Sequence, residues 1–319
     1  MKIVVLEGYT LNPGDLDWKK LNALGDVTIY DRTQDVQIIE RASGAHVILS
    51  NKTRLSRAVL EQLPDLKYVG VLATGYDSVD VKAAQERGIT VTNVPSYGTR
   101  SVAQMTFAHI LNLVHRLADH NKSVQSGNWS KAPDYCYWEH PLIELDGLIL
   151  GVLGLGRIGK AVADIGYGFG MNIIYYDTQV PSSVPSSWRA VSVKTLFKTS
   201  DILTLHCPLT SETHEIVDKH HLKMMKKKAF LINTSRGGLI NNRDLAEALK
   251  NGTIRGAGLD VLDKEPPPAD HPLIGIPNCF ITPHIAWATH AARERLLNTA
   301  VENLEAFIRG EKMNVVTEA

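Results

Sequence analysis

The chain of 319 residues is poor in cysteine, has no charge imbalance and has no long apolar run. Cys136, Cys207 and Cys279 are odd in number, far apart and without a CxxC pair, which argues against a disulfide framework or a zinc site and fits a reducing compartment. Lys plus Arg equals Asp plus Glu at 34 each, so the net attraction to phosphate on which nucleic-acid binding draws is missing. The densest basic run, Lys223–Lys228 (KMMKKK), reads as the solvated face of a short surface helix. At the N-terminus the apolar stretch Ile3–Leu6 stops at Glu7, too short for a signal peptide and far too short to span a bilayer. The expectation is a cytoplasmic protein without nucleic-acid, membrane or metal partners.

What is present is the composition of a soluble globular protein, 44% hydrophobic and 21% charged. The length favours two domains and hence a cleft. Short apolar runs at Ile3–Leu6, Val27–Tyr30, His46–Leu49, Tyr68–Leu72 and Ile89–Val94 alternate with helix-compatible stretches, as strands buried on both faces of a parallel sheet do. From Thr99 to about Ser126 the period changes to helical, with Val102, Met105, Ala108, Ile110, Leu113 and Leu117 on one face. One long helix connecting the domains is predicted there, followed by an aromatic, turn-rich segment, Asn128–His140. A second βα series then opens at Leu148, with further strands at Asn172–Tyr176, Ile202–Leu205, Ala229–Ile232, Ile254–Leu259 and Cys279–Ile281. The amphipathic stretch Ala288–Arg309 is long enough to return to the first domain, which makes that domain discontinuous: 1–98 with 288–319, against 99–287.

The second series begins with a phosphate-binding pattern. Gly154-Leu-Gly156-Arg157-Ile158-Gly159 follows an apolar strand and opens a helix. Gly154 permits the tight turn, Gly156 lets backbone approach a pyrophosphate, and Gly159 lets helix and strand pack closely, with the anion at the helix N-terminus. The next strand ends in Asp177, about 20 residues on, where an acid accepts from the adenosine ribose hydroxyls and repels a 2′-phosphate. NAD is therefore expected over NADP.

Three more segments each follow a strand of this series: Asn233-Thr-Ser-Arg236-Gly-Gly, Leu259-Asp260-Val-Leu-Asp-Lys-Glu265-Pro and Thr282-Pro-His284-Ile-Ala-Trp287. Together with the glycine loop they resemble the D-isomer-specific 2-hydroxyacid dehydrogenase family, in order and across essentially the whole chain. The resemblance implies an α/β fold of two domains, a Rossmann-type doubly wound parallel sheet and a smaller flavodoxin-like substrate domain, with a cleft between them. It implies His284 as the proton donor and acceptor, Glu265 as the group that orients it and stabilises imidazolium, and Arg236 as the clamp on the substrate carboxylate. The chemistry agrees: imidazole titrates near neutrality, and a guanidinium fork matches a carboxylate. Taken singly, Arg236 also reads as a helix N-terminal contact, Glu265 as a loop acid before proline and His284 as one satisfied histidine among 12.

The resemblance extends to the surroundings. Backbone N–H groups at Thr74 and Gly75 would meet the substrate carboxylate, with Asn51 and Lys52 as further candidates whose other reading is an ordinary polar loop. Thr99 or Val102 would lie near the nicotinamide, although Gln104 stands where many members carry Glu. His206, Cys207, Pro208 and Thr213 would border the adenosine and ribose side, and Thr234, Ser235 and Asp260 the carboxamide end. Cys207 reads as packing rather than chemistry. Trp287 reads as a pocket wall or a domain-interface tryptophan, next to Ala286, which replaces a glycine of many relatives.

Within the family, Pro283–Trp287 and Tyr135-Cys-Tyr-Trp138 resemble the branch acting on hydroxypyruvate and D-glycerate. The implied activity is reversible, NAD-dependent reduction of a small 2-keto acid, with glyoxylate, pyruvate and D-lactate chemistry next and phosphoglycerate after them. A homodimer built through the cofactor domain is implied as well. Two other readings stay open: a dinucleotide-sensing, co-repressor-like interaction protein of the same architecture, and oxidation of formate or phosphite.

Overall fold

The computed structural model describes residues 1–179 and 183–316. The chain divides into two compact units, Met1–Gly98 with Ala288–Ala319, and Thr99–Trp287; residues 317–319 of the first and 180–182 of the second lie outside the described ones.

The first unit is built on a five-stranded sheet in the order β2-β1-β3-β4-β5. Its strands are β1 (Lys2–Val5), β2 (Asp26–Ile29), β3 (Val47–Ser50), β4 (Tyr68–Val71) and β5 (Thr90–Thr92), all paired in parallel. Each falls within a residue or two of its apolar run. β3 and β4 are buried throughout, as central strands covered by helices on both faces must be. The helix His290–Ile308 belongs to this unit: Phe307 packs against Tyr68 with ring centroids 4.8 Å apart. Asn303 Nδ2 donates to the Asn93 carbonyl at 2.9 Å, and Arg293 bonds both oxygens of Asp15 at 2.7 and 2.6 Å.

The second unit carries a seven-stranded sheet in the order β12-β11-β10-β9-β6-β7-β8, formed by β6 (Ile149–Leu153), β7 (Asn172–Tyr176), β8 (Arg189–Ala190), β9 (Ile202–Leu205), β10 (Phe230–Asn233), β11 (Gly256–Leu259) and β12 (Cys279–Ile281). All neighbours are parallel. The chain winds outward from β6 through β7 and β8, then resumes at β9 on the other side of β6. That reversal opens a crevice at the carboxyl ends of β6 and β9, where doubly wound sheets bind ligands.

Two expectations change. The long helix is two, Thr99–His115 and Leu117–Gln125, broken at Arg116 with φ 51° and ψ 42°. Arg116 Nε reaches forward to Asp119 at 2.6 Å while its guanidinium sits over Phe280, contacts that fix the break. Leu117 consequently leaves the apolar face and is 73% exposed. The basic run is mostly not helical: the helix Lys219–Met224 stops inside it, Met225 turns into the core, and Lys226 pairs with Asp201 at 2.7 Å.

Candidate active site

The glycine loop closes β6 onto the helix Arg157–Gly168. Gly154 has φ +92°, and a Cβ there would meet Cys207 N at 2.5 Å. A side chain on Gly159 would collide with the Gly154 carbonyl, whereas one on Gly156 meets nothing within 4 Å. Gly154 and Gly159 thus serve close packing, and Gly156 faces open space at the helix N-terminus. Arg157 is exposed and Ile158 half-buried on the first turn. Asp177, just past β7, accepts the Leu155 N–H of the loop at 2.5 Å on one oxygen and Gln179 N–H at 3.0 Å on the other.

These features fit a dinucleotide. An open backbone approach at a helix start carries positive dipole for phosphate, and a carboxylate anchored to the same loop stands ready for hydroxyl groups. On the β9 side, burial holds His206 down to about 3, so its imidazole is neutral, and its Nε2 lies 2.8 Å from Thr204 Oγ1. Burial raises the Cys207 thiol to about 11, which keeps it protonated and inert. Thr213 Oγ1 donates to the Pro208 carbonyl at 2.7 Å, and Ser235 Oγ donates to the Cys207 carbonyl at 3.0 Å. Val102 is buried; its carbonyl accepts Thr106 Oγ1 at 2.8 Å, which leaves the Thr234 hydroxyl to donate to Thr106 Oγ1 at 2.9 Å.

The three candidate reacting residues stand on loops after β10, β11 and β12. Asn233 shapes the first, accepting Ser235 N–H at 3.0 Å and donating to the Arg236 carbonyl at 2.8 Å. Arg236 Nη1 donates to the Ser235 carbonyl at 3.0 Å. His284 Nδ1 and Glu265 Oε2 are 2.6 Å apart, with the side chains 28% and 33% exposed. A carboxylate only accepts, so Nδ1 carries the proton, and Nε2 is directed away from the pair. Glu265 Oε1 also accepts the Leu262 N–H at 3.0 Å, which locks the carboxylate in its own loop.

His284 has φ 55°, a left-handed conformation that costs a non-glycine residue on the order of 1 kcal/mol. Its surroundings hold it there. His284 N–H donates to the Asp260 carbonyl at 2.8 Å. The Asp260 carboxylate, 1% exposed, accepts from Thr282 Oγ1 at 2.6 Å, Ile285 N–H at 3.0 Å and Ala286 N–H at 2.8 Å. Since the Thr282 proton goes to Asp260, His109 Nε2–H donates to Thr282 Oγ1 at 3.0 Å, and burial lowers the His109 pKa despite the opposing Asp260 charge. Trp287 Nε1 donates to the His284 carbonyl at 3.0 Å. Asp260 and Trp287 are therefore engaged in holding the His284 loop, a part the sequence reading did not assign them. His109 and Thr282 were not singled out at all; a histidine within the apolar periodicity of a helix is the one signal that pointed to a buried partner.

The remaining candidates belong to the first unit. Thr74 Oγ1 donates to the Val94 carbonyl at 3.0 Å, and its own carbonyl accepts Asn93 Nδ2 at 2.7 Å; Gly75 follows, half-buried. Asn51 is half-buried and Lys52 exposed. The backbone N–H groups of both bond the Glu7 carboxylate, a residue read in the sequence only as the end of an apolar run.

A parallel sheet with a glycine loop at its reversal and an anchored acid after the next strand defines a Rossmann-type, nicotinamide-dependent oxidoreductase. The family model for the D-isomer specific 2-hydroxyacid dehydrogenase NAD binding domain matches residues 107–286, more than half of the chain. A hydroxypyruvate reductase of Blautia hydrogenotrophica is 48% identical over 100% of both chains. A glycerate dehydrogenase of Methylorubrum extorquens is 37% identical over 99% of this chain and 98% of its own. D-lactate dehydrogenase of Aquifex aeolicus, solved with NAD and lactic acid, superposes with a TM-score of 0.85 at 30% identity over 100% of both chains. The chain belongs to the D-isomer-specific 2-hydroxyacid dehydrogenase family. It is an enzyme and its cofactor is NAD. No helix among the described residues is long and apolar enough to cross a membrane.

Proposed function

We propose that the chain reduces hydroxypyruvate reversibly to D-glycerate with NADH, taking glyoxylate and pyruvate as lesser substrates. The reading is carried by the 2.6 Å contact between His284 and Glu265, in a chain 48% identical to a hydroxypyruvate reductase. When bound, NADH supplies the hydride that reaches the carbonyl carbon. His284 gives the Nε2 proton to the carbonyl oxygen during reduction and takes it back from the hydroxyl during oxidation. Glu265 accepts from Nδ1, which fixes the ring orientation and favours imidazolium. Arg236 pairs with the substrate carboxylate and polarises the carbonyl, with Thr74, Gly75, Asn51, Lys52 and Trp287 as further substrate contacts.

For the cofactor, Gly154, Gly156, Arg157, Ile158 and Gly159 would hold the pyrophosphate, and Asp177 the adenosine ribose. His206, Cys207, Pro208 and Thr213 would line the ribose side, and Val102, Thr234, Ser235 and Asp260 the nicotinamide end. The unit Met1–Gly98 with Ala288–Ala319 would then serve the substrate and Thr99–Trp287 the cofactor. A cytoplasmic homodimer completes the reading, and light scattering measures the dimer directly.

The test is a panel of hydroxypyruvate, glyoxylate, pyruvate and phosphohydroxypyruvate with NADH, and formate with NAD. The highest kcat/KM is expected for hydroxypyruvate. A preference for any other member overturns that substrate, and tight NADH binding without turnover would favour the sensing role instead.

A further inference from the structure

Three successive backbone N–H groups converge on one oxygen of a buried carboxylate in the first unit. Asn51 N and Thr53 N both lie 2.7 Å from Glu7 Oε1, with Lys52 N donating between them. Ser50 Oγ donates to the same oxygen at 3.1 Å, and Thr53 Oγ1 donates to Oε2. Consecutive N–H groups curled in this way form a nest, a concave patch of positive potential that binds anions. Here the occupant comes from the chain itself. β1 and β3 run in parallel with Val5 beside Leu49, and Leu6 N–H donates to the Leu49 carbonyl at 3.0 Å. Glu7 therefore emerges abreast of the loop that follows β3, only 9% exposed. A carboxylate so enclosed persists only with its lone pairs satisfied, and charge-assisted bonds are the stronger kind.

We propose that Glu7 is a built-in anion that shapes the loop of Asn51 and Lys52, and so sets how their side chains meet the carboxylate of a keto acid. The proposal rests on the substrate role given above to those two residues. The nest is filled, so the backbone N–H groups of residues 51–53 are closed to substrate. Selectivity at this loop falls to the Asn51 amide and the Lys52 ammonium, on a backbone further tied by Ser78 Oγ donating to the Asn51 carbonyl at 3.1 Å. Glu7 is a positioning residue, acting through the loop rather than on the reacting atoms.

Glu7→Ala empties the nest. The KM for hydroxypyruvate should rise about tenfold or more while kcat changes by less than about threefold, with NADH affinity unchanged, since ground-state substrate contacts are what is lost. Formate, a planar carboxylate that can refill the nest, should lower the variant's KM, whereas in the wild type, with the nest already filled by Glu7, it should not. Glu7→Gln, which keeps the acceptor oxygen without its charge, should fall between. A KM for Glu7→Ala near the wild-type value, or a raised KM that formate does not lower, overturns the proposal. Should Glu7→Ala not fold, Glu7→Gln decides, and an unaltered KM there overturns it. Asn51→Ala and Lys52→Ala separate the two readings. If they raise KM and the Glu7 variants do not, only the part given to Glu7 fails; if they leave KM unmoved, the substrate role of the loop fails and the proposal with it.

Discussion

Gly237 and Leu262 meet backbone to backbone: a Cβ built on Gly237 would fall inside the van der Waals surface of the Leu262 carbonyl group. The loop bearing Arg236 and the loop bearing Glu265 thus pack without a side chain between them. Gly237→Ala has no flexible neighbour to displace, so it should destabilise the protein by about 1–3 kcal/mol. It should also lower kcat by separating the two loops. Thermal unfolding and kcat/KM for hydroxypyruvate measure both, and a wild-type value for each contradicts the contact.

Asp177→Ala should weaken NADH binding and narrow the preference against NADPH. The substitution removes the acceptor proposed for the ribose hydroxyls and the charge that repels a 2′-phosphate, and it frees the Leu155 N–H that Asp177 anchors at 2.5 Å. Fluorescence titration with both cofactors reads the change. A wild-type preference for NADPH sinks the assignment.

Arg236→Lys keeps a positive charge but loses the bidentate fork. A loss of roughly 2–4 kcal/mol in transition-state stabilisation, read from kcat/KM, is expected for a guanidinium paired with a carboxylate. Near-wild-type efficiency would count against a clamp.

Glu265→Gln retains the shape of the partner while removing its charge, and imidazolium is then less favoured over imidazole. Reduction needs the protonated ring, so its alkaline limit should move to lower pH. Oxidation needs the neutral ring, so its acid limit should move the same way. Profiles of kcat/KM against pH in both directions test this, and limits that stay in place or rise show that the pair does not act as described.

Thiol labelling separates the three cysteines. Burial raises Cys207 to about 11 and Cys279 to about 12, so both remain thiols at pH 8, while Cys136 is exposed. Iodoacetamide, which attacks through thiolate, should label Cys136 first, as peptide mass spectrometry would record. Equal labelling of Cys207 would remove the case for its inertness.

The strands were legible because those buried on both faces are written as continuous apolar runs, and Asn172–Tyr176 and Ile202–Leu205 begin and end where the pattern does. The short edge strand Arg189–Ala190 is exposed, has no apolar signature, and left no trace. The break at Arg116 was hidden for the opposite reason: helical periodicity continues through it to Leu117, and of the two contacts that hold Arg116 there, the one to Phe280 comes from a segment distant in sequence. In the candidate site, the glycine loop and Asp177 were legible from spacing, and Arg236, Glu265 and His284 from the family resemblance. What holds them was not legible, because Asp260, Thr282 and His109 come from three separate segments, and the use of Glu7 depends on the register of β1 against β3.

The helix His290–Ile308 has a consequence for biosynthesis. Tyr68, fully buried in β4, is partly covered by Phe307, and Val316 N–H donates to the Val91 carbonyl of β5 at 2.8 Å. These partners leave the ribosome more than 200 residues after the strands they cover. A chain folding as it is made therefore completes the later-starting unit first. Until the helix His290–Ile308 has been made, the five-stranded sheet waits with an apolar face uncovered, and a nascent chain stalled before Phe307 is the form in which chaperone capture of this protein would be strongest.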